Sequence, residues 1–359
     1  MIALFIHEFR QIWRHSITWT LFILMLLTSL FFYAQMPQPS QADPPAPTEN
    51  DDFFELIDYF TILDADFIVA PDHMETFEAS KTLIAESFQR NQDHQLVRSP
   101  EKLAGPASIT FKLLNFTQSG LLILASLSFG LLFSKQSKSP SKRKTSISRG
   151  IVAKSLALTI TLALIFILPK LLAMLGTALV FGHQGLDLII PFNPLAGAPL
   201  FEIHQGTASD SIILTTYRSI SSSSLVSLGT TYALAFFYEL SQVFVWTGLG
   251  LLLGDLMIKK FLVMGTAALL LLTGRAFAFP NGDQGISRYL FSSYNDALRD
   301  TLGSPFMMRG LTLTQAPFDY FLGLMVLLLS GILILYLTQL RYQGKLSFQG
   351  RGGEDDEDL

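Results

Sequence analysis

The stretch Ser155–Phe181 reads SLALTITLALIFILPKLLAMLGTALVF, and its reading decides the fold class. Crossing ~30 Å of hydrocarbon takes about 20 apolar residues in a helix. This run exceeds that length with one charged residue, Lys170. Working outward, Ile17–Ala34, Leu113–Phe133, Leu225–Leu253 and Phe318–Leu337 have the same character. Phe261–Phe279 joins them, apolar except for Arg275 near one end. The expectation is an all-α integral membrane protein with about six transmembrane helices.

Composition agrees. Apolar residues make up 50% of the 359-residue chain and charged residues 15%, against about 25% charged in ordinary soluble domains. Phenylalanine alone occurs 30 times. That much apolar surface calls for lipid as well as a protein core. There is no cysteine, which excludes disulfides and thiolate metal sites. The first apolar run lacks a clear small-residue cleavage site and is long for a signal peptide, so it reads as a retained span.

Lysine and arginine set the orientation. The 135–149 stretch carries Lys135, Lys138, Lys142, Arg143, Lys144 and Arg149 without an acid among them. Arg10 and Arg14 precede the first span, Lys259 and Lys260 follow the fourth, and Arg341 and Lys345 follow the last. Residues 35–110 are instead dominated by Asp and Glu. The positive-inside rule puts both termini and the basic stretch in the cytoplasm of a plasma or inner membrane.

The division expected from these signals begins with an interfacial helix at 1–15, a span at 16–34 and an external helical region at 35–110. A span at 111–134, a basic cytoplasmic loop at 135–150 and a span at 151–181 follow. An external loop at 182–224, a span at 225–253 and a short cytoplasmic turn at 254–260 come next. The chain ends with a span at 261–279, an external loop at 280–317, a span at 318–338 and a cytoplasmic tail at 339–359, acidic at its end.

In the first of these segments Ile2, Phe5, Ile6, Phe9, Ile12 and Trp13 make one apolar face, with His7, Arg10, Gln11 and Arg14 opposite. That pattern suits a helix lying among lipid headgroups. In 35–110, five prolines within Met36–Pro47 suggest an extended linker. Asp52 with Glu55 and Asp72 with Glu75 then have capping-box spacing, pointing to a small helical cap.

Soluble catalytic signatures are missing. No stretch fits GxxxxGK[ST], HExxH or GxSxG, so ATP binding through a P-loop is not expected of this chain. The six histidines stand at 7, 15, 73, 94, 183 and 204, none paired at ligand spacing. Asp72, His73 and Glu75 read as a solvated helix start before they read as a metal site. Asp64 with Asp66 is a weak DxD pair, and Met307 with Met308 reads as packing. No cofactor and no nucleic-acid partner are expected.

Charges inside the spans say more. Lys170 follows helix-kinking Pro169 near the middle of the third span, and Glu239 lies at the centre of the fourth. A lone charge at mid-bilayer costs roughly 2.5–3.5 kcal/mol on insertion scales, and such groups face a bundle interior and pair. The two spans are expected to run antiparallel, which brings the residues to similar depth. Lys170 and Glu239 are thus candidates for a buried ion pair or for the lining of a polar pathway. The alternative is a snorkelling Lys170 with a protonated, solitary Glu239.

The run Lys144–Lys154, KTSISRGIVAK, resembles a motif of type-2 ABC exporter permeases, in which a P-I-S-R-x-x-[IL]-x-x-K run opens the third span. Ile147, Ser148, Arg149 and Lys154 carry the likeness. Ser146 stands where the family has proline, Lys154 sits one residue early, and the family's preceding E-x-G-T run is replaced by basic residues. The resemblance implies a membrane-spanning permease subunit whose partners are a separate ABC ATPase, a second permease chain and membrane lipids. Residues 135–154 and the surface helix would then meet the ATPase. Two other readings compete. A membrane enzyme would need convergent catalytic residues at one depth, which are not seen. A non-transporting scaffold or sensor would rest on a ligand-binding external region.

Overall fold

The computed structural model describes residues 1–36, 105–118, 120–134, 144–183, 185–187, 189–192, 202–205, 212–216, 224–256, 289–295 and 320–342. Among them α1 is Ile2–Trp13, α2 Ser16–Ala34, α3 Pro106–Gln118, α4 Leu121–Ser134 and α5 Lys144–Phe181. Strands β1 (Ile189–Phe192), β2 (Glu202–Gln205), β3 (Ile212–Thr216) and β4 (Ser224–Ser227) precede α6, Leu228–Leu256. A 3-10 turn at Phe291–Ser293 and a last helix α7, Tyr320–Tyr342, follow.

The structure is mostly helical. Among the described residues four helices, α2, α5, α6 and α7, are long and apolar enough to cross a membrane. The bent pair α3 and α4 makes a fifth crossing if it counts as one span. The expected span at 261–279, the proline-rich linker and the capping boxes of the 35–110 region lie outside the described residues, as do His73, His94, Asp64, Asp66, Met307 and Met308.

The second span differs from a single straight helix over 111–134. It begins earlier, at Pro106, and breaks into α3 and α4 with a 52° bend. Gly120 stands at the break with φ +108, a backbone conformation that L side chains rarely adopt. Residues 106–110, expected outside, are therefore the first turns of α3, and Ala107, Ile109 and Thr110 are fully buried. Within the expected basic loop 135–150, the residues from Lys144 onward are instead helical, as the start of α5.

Two small ladders interrupt the all-α expectation. Within the 182–224 segment, β2 pairs antiparallel with β3. Strand β1 pairs with β4, setting Ile189 opposite Ser227 and Phe192 opposite Ser224. β-Branched residues such as Ile189, Ile190, Ile212 and Ile213 suit such strands. The β1–β4 pair sits at the start of α6, where the Gly229 amide donates to the Leu186 carbonyl at 2.9 Å.

Helix α6 is the centre of the bundle. Its apolar window is 78% buried, against 17% for α2, which lies at the periphery. Helices α4 and α7 pack most extensively on it. Gly130 of α4 and Gly250 of α6 meet backbone to backbone: a Cβ at Gly130 would stand 2.8 Å from the Gly250 Cα. Gly254 meets Ser134 in the same seam. Small residues at four-residue spacing, Ser126, Gly130 and Ser134 against Gly250 and Gly254, let the two backbones close. Along this seam and along α7 the contacts advance together, Tyr238 with Gly323, Phe244 with Gly331 and Gly248 with Ile334, so α4, α6 and α7 are parallel.

Helix α1 lies mainly against α5. Its inward side carries Ile12, fully buried, with Phe5 and Phe9 packed on the same core. The other apolar residues, Ile2, Leu4 and Ile6, remain exposed, as do His7, Arg10, Gln11 and Arg14. The corner into α2 is closed by side chains: Thr18 Oγ1 donates to the Ile12 carbonyl at 2.7 Å, and Trp19 Nε1 to the Trp13 carbonyl at 2.8 Å.

Candidate functional site: a buried charged triad

Helix α5 delivers the cation. Pro169 has no amide hydrogen to donate to the Ile165 carbonyl, which loosens the helix one residue before Lys170. Helix α6 delivers the anion, Glu239, near its own middle. The Lys170 ammonium contacts Glu239 Oε1 directly, and both side chains are fully buried. Lys170 therefore does not snorkel to an aqueous surface.

A third residue completes the site. Thr117, in the last turn of α3, accepts from Lys170 Nζ at 2.7 Å and has Glu239 Oε1 at 3.0 Å. The Thr117 hydroxyl also lies 3.0 Å from the Leu114 carbonyl and 3.1 Å from that of Leu113. It has one proton, and the ionised carboxylate is the strongest acceptor in reach. Read that way, the hydroxyl accepts from the ammonium and donates to the carboxylate, bridging the charges.

The site is net neutral. Removing two charges from water costs several kcal/mol per ion, which close contact and added hydrogen bonds offset. Charge neutralisation together with the Thr117 hydroxyl offsets the cost of burying such a pair among apolar neighbours. Leu171 of α5 and Phe236 of α6 both belong to the apolar cluster that Ala107 and Phe111 of α3 anchor.

A second polar junction occupies the same helix one turn on. Gln242 Nε2 donates to the Tyr294 carbonyl at 2.9 Å. Phe291 packs edge-on against Trp246 with centroids 5.3 Å apart. Ser292, Ser293, Tyr294 and Asn295 are all buried, so this part of the expected external loop 280–317 enters the bundle. Non-helical backbone is tolerated at such depth where protein surrounds it and satisfies its polar groups.

The residues expected to couple to an ATPase fall on the first turns of α5. Ile147, Ser148 and Arg149 are helical, and Lys154 follows two turns later on the same helix. Lys154 is only 5% exposed. Glu8 of α1, the helix that packs along α5, is near enough to attract it. Lys154 does not present its charge to solvent. No group of three or more metal-ligating side chains occurs among the described residues.

Sequence reasoning singled out Lys170 and Glu239 but missed Thr117, Gln242 and the glycine seam. The seam had a visible signal, Gly250-Leu-Leu-Leu-Gly254. Thr117 had none, because a single hydroxyl in an apolar run is ordinary.

Fold and site together define a helical bundle with four or five helices fit to cross a membrane and an ion pair at its centre. Compared with known proteins, the chain matches no family model, no curated protein and no solved structure.

Proposed function

We propose that this chain is the membrane permease subunit of an ATP-driven exporter. In this reading it crosses the plasma or inner membrane six times with both ends in the cytoplasm, and works with a separate ABC ATPase and a second permease chain. The observation that carries the reading is the continuity of α5. One helix of 38 residues holds the Ile147–Lys154 run at its start and Lys170 in its second half. At 1.5 Å per residue it is roughly 57 Å long, well beyond the ~30 Å hydrocarbon layer. A force applied to the first turns is therefore delivered along one continuous helix as far as the Pro169 joint, where Lys170 enters the buried triad.

The surface helix supports the same reading. Helix α1 packs along α5 through Phe5, Phe9 and Ile12 and through the Glu8–Lys154 attraction. A partner pressing on either would move both. Direction supports the sixth crossing: α6 and α7 are parallel, and two parallel spans joined in one chain need a return between them. The apolar run at 261–279 has the length for it.

The test is purification of the full chain in mild detergent from its native cells. A stoichiometric P-loop ATPase is expected to accompany it, and Arg149→Glu is expected to weaken that association. Catalytic turnover by the chain alone, with no ATPase bound, would overturn the proposal.

A further inference from the structure

The triad joins three helices at the places where two of them are weakened. Thr117 is three residues before Gly120, whose φ of +108 marks the break between α3 and α4. Lys170 directly follows Pro169, the one proline inside α5. Glu239 sits on α6, the most buried helix. A bonded pair at such points restrains motion where the backbone itself offers least resistance.

The remaining holds on α3 among the described residues include a hydrogen bond and apolar packing, most extensive along α5. Near its start, Tyr232 Oη of α6 donates to the Ala107 carbonyl at 2.9 Å. Along its length, Ala107, Phe111 and Leu114 pack against Leu228, Tyr232, Ala235 and Phe236 of α6. Its other buried face, Ile109 and Leu113, packs with Met36 beyond α2, with Phe32 of α2 and with Ala173 and Phe181 of α5. At its end Thr117 contacts charged groups on both neighbouring helices at once.

We propose that Thr117, Lys170 and Glu239 form a latch: they hold α3 closed against α5 and α6, and its release lets α3 swing about Gly120. Thr117 is a positioning residue in this device. Its hydroxyl ties the broken helix to a pair that would otherwise link α5 to α6 alone. Opening would expose the buried face of α3, including Thr110, whose hydroxyl has no hydrogen-bond partner among the described residues. The latch is a property of this chain by itself and does not depend on an ATPase partner, so its test is separate from that of the permease reading.

The chain has no cysteine, so single cysteines report accessibility without background. The full chain is reconstituted in phospholipid vesicles with Thr110→Cys on α3 or Ser126→Cys on α4, both positions fully buried. Labelling by a water-soluble, membrane-impermeant maleimide is then followed with and without Thr117→Val, which keeps the side-chain shape and removes the hydroxyl. Cysteine at 110 is expected to label about tenfold faster in the Thr117→Val background, the order expected from losing a hydrogen bond to a charged group. Cysteine at 126 should stay protected. Thr117→Ser, which restores the hydroxyl, should return position 110 to its slow rate. The latch is overturned if position 110 is unchanged by Thr117→Val. It is equally overturned if positions 110 and 126 become reactive together, since the triad would then be holding the whole bundle and not a hinge.

Discussion

Lys170 shows how much a single residue depends on its partners. Alone in an apolar bundle its ammonium would be expelled or neutralised; Glu239 and Thr117 give it a carboxylate and a hydroxyl to bind. Breaking one side of a buried pair leaves an uncompensated charge and costs about 3–5 kcal/mol, whereas replacing both members by neutral residues of similar volume is close to neutral. Lys170→Met and Glu239→Gln should each destabilise the bundle by about that amount, and the double variant should recover most of it. Denaturant titration of the purified chain in detergent, followed by tryptophan fluorescence, measures this. The charge swap Lys170→Glu with Glu239→Lys should outperform either single change; no recovery in it would rule out pairing as the source of stability. Gln242 is the smaller analogue. Gln242→Leu should cost about 1–3 kcal/mol by leaving the buried Tyr294 carbonyl without its donor, read in the same titration.

Between elements, close approach matters more than polarity. Helices in lipid gain nothing from hiding apolar side chains from an apolar solvent, so the α4–α6 pair relies on contact at Gly130, Gly250 and Gly254. A methyl group at Gly250 would stand 2.9 Å from the Gly130 Cα, with backbone on both sides and nothing flexible to yield. Gly250→Ala should therefore destabilise by about 1–3 kcal/mol, as overpacking does. Gly176 of α5 provides the contrast, because nothing lies within 4 Å of its would-be Cβ. Gly176→Ala should be neutral or stabilise by up to ~1 kcal/mol through helix propensity. Comparing the two thermal midpoints separates crowding from propensity, and equal shifts would contradict the packing argument. The sequence carried this seam openly as Gly250-xxx-Gly254, yet nothing in it named α4 as the partner.

At the scale of the molecule, the ends of the elements sort consistently. His15 at the start of α2 stacks edge-on with Phe133 near the end of α4, at 5.6 Å, and Gly254 near the end of α6 meets Ser134. Phe32 and Phe116 meet at the opposite end, 6.2 Å apart. Ser134, the last residue of α4 before the basic 135–143 stretch of the sequence, thus lies at the end of the bundle that also carries α1. In the proposed orientation a cysteine at Ser139 in sealed cells should resist an impermeant maleimide until the membrane is opened. Labelling from outside would invert the topology and remove the basis for an ATPase at that face.

Hydropathy is additive along the chain, so length and charge alone identified α2, α5, α6 and α7 as apolar helices and α1 as an amphipathic one. Ile17–Ala34 and the helix Ser16–Ala34 agree almost to the residue, because lipid exposure asks only that a helix be apolar. Interiors obey a different condition. Which polar atom meets which depends on atoms brought together from distant parts of the chain, as Thr117 and Glu239 are across 122 positions. The break at Gly120, the burial of Ser292–Asn295 and the strands before α6 likewise arise from three-dimensional contact, where satisfying a hydrogen bond outweighs local preference.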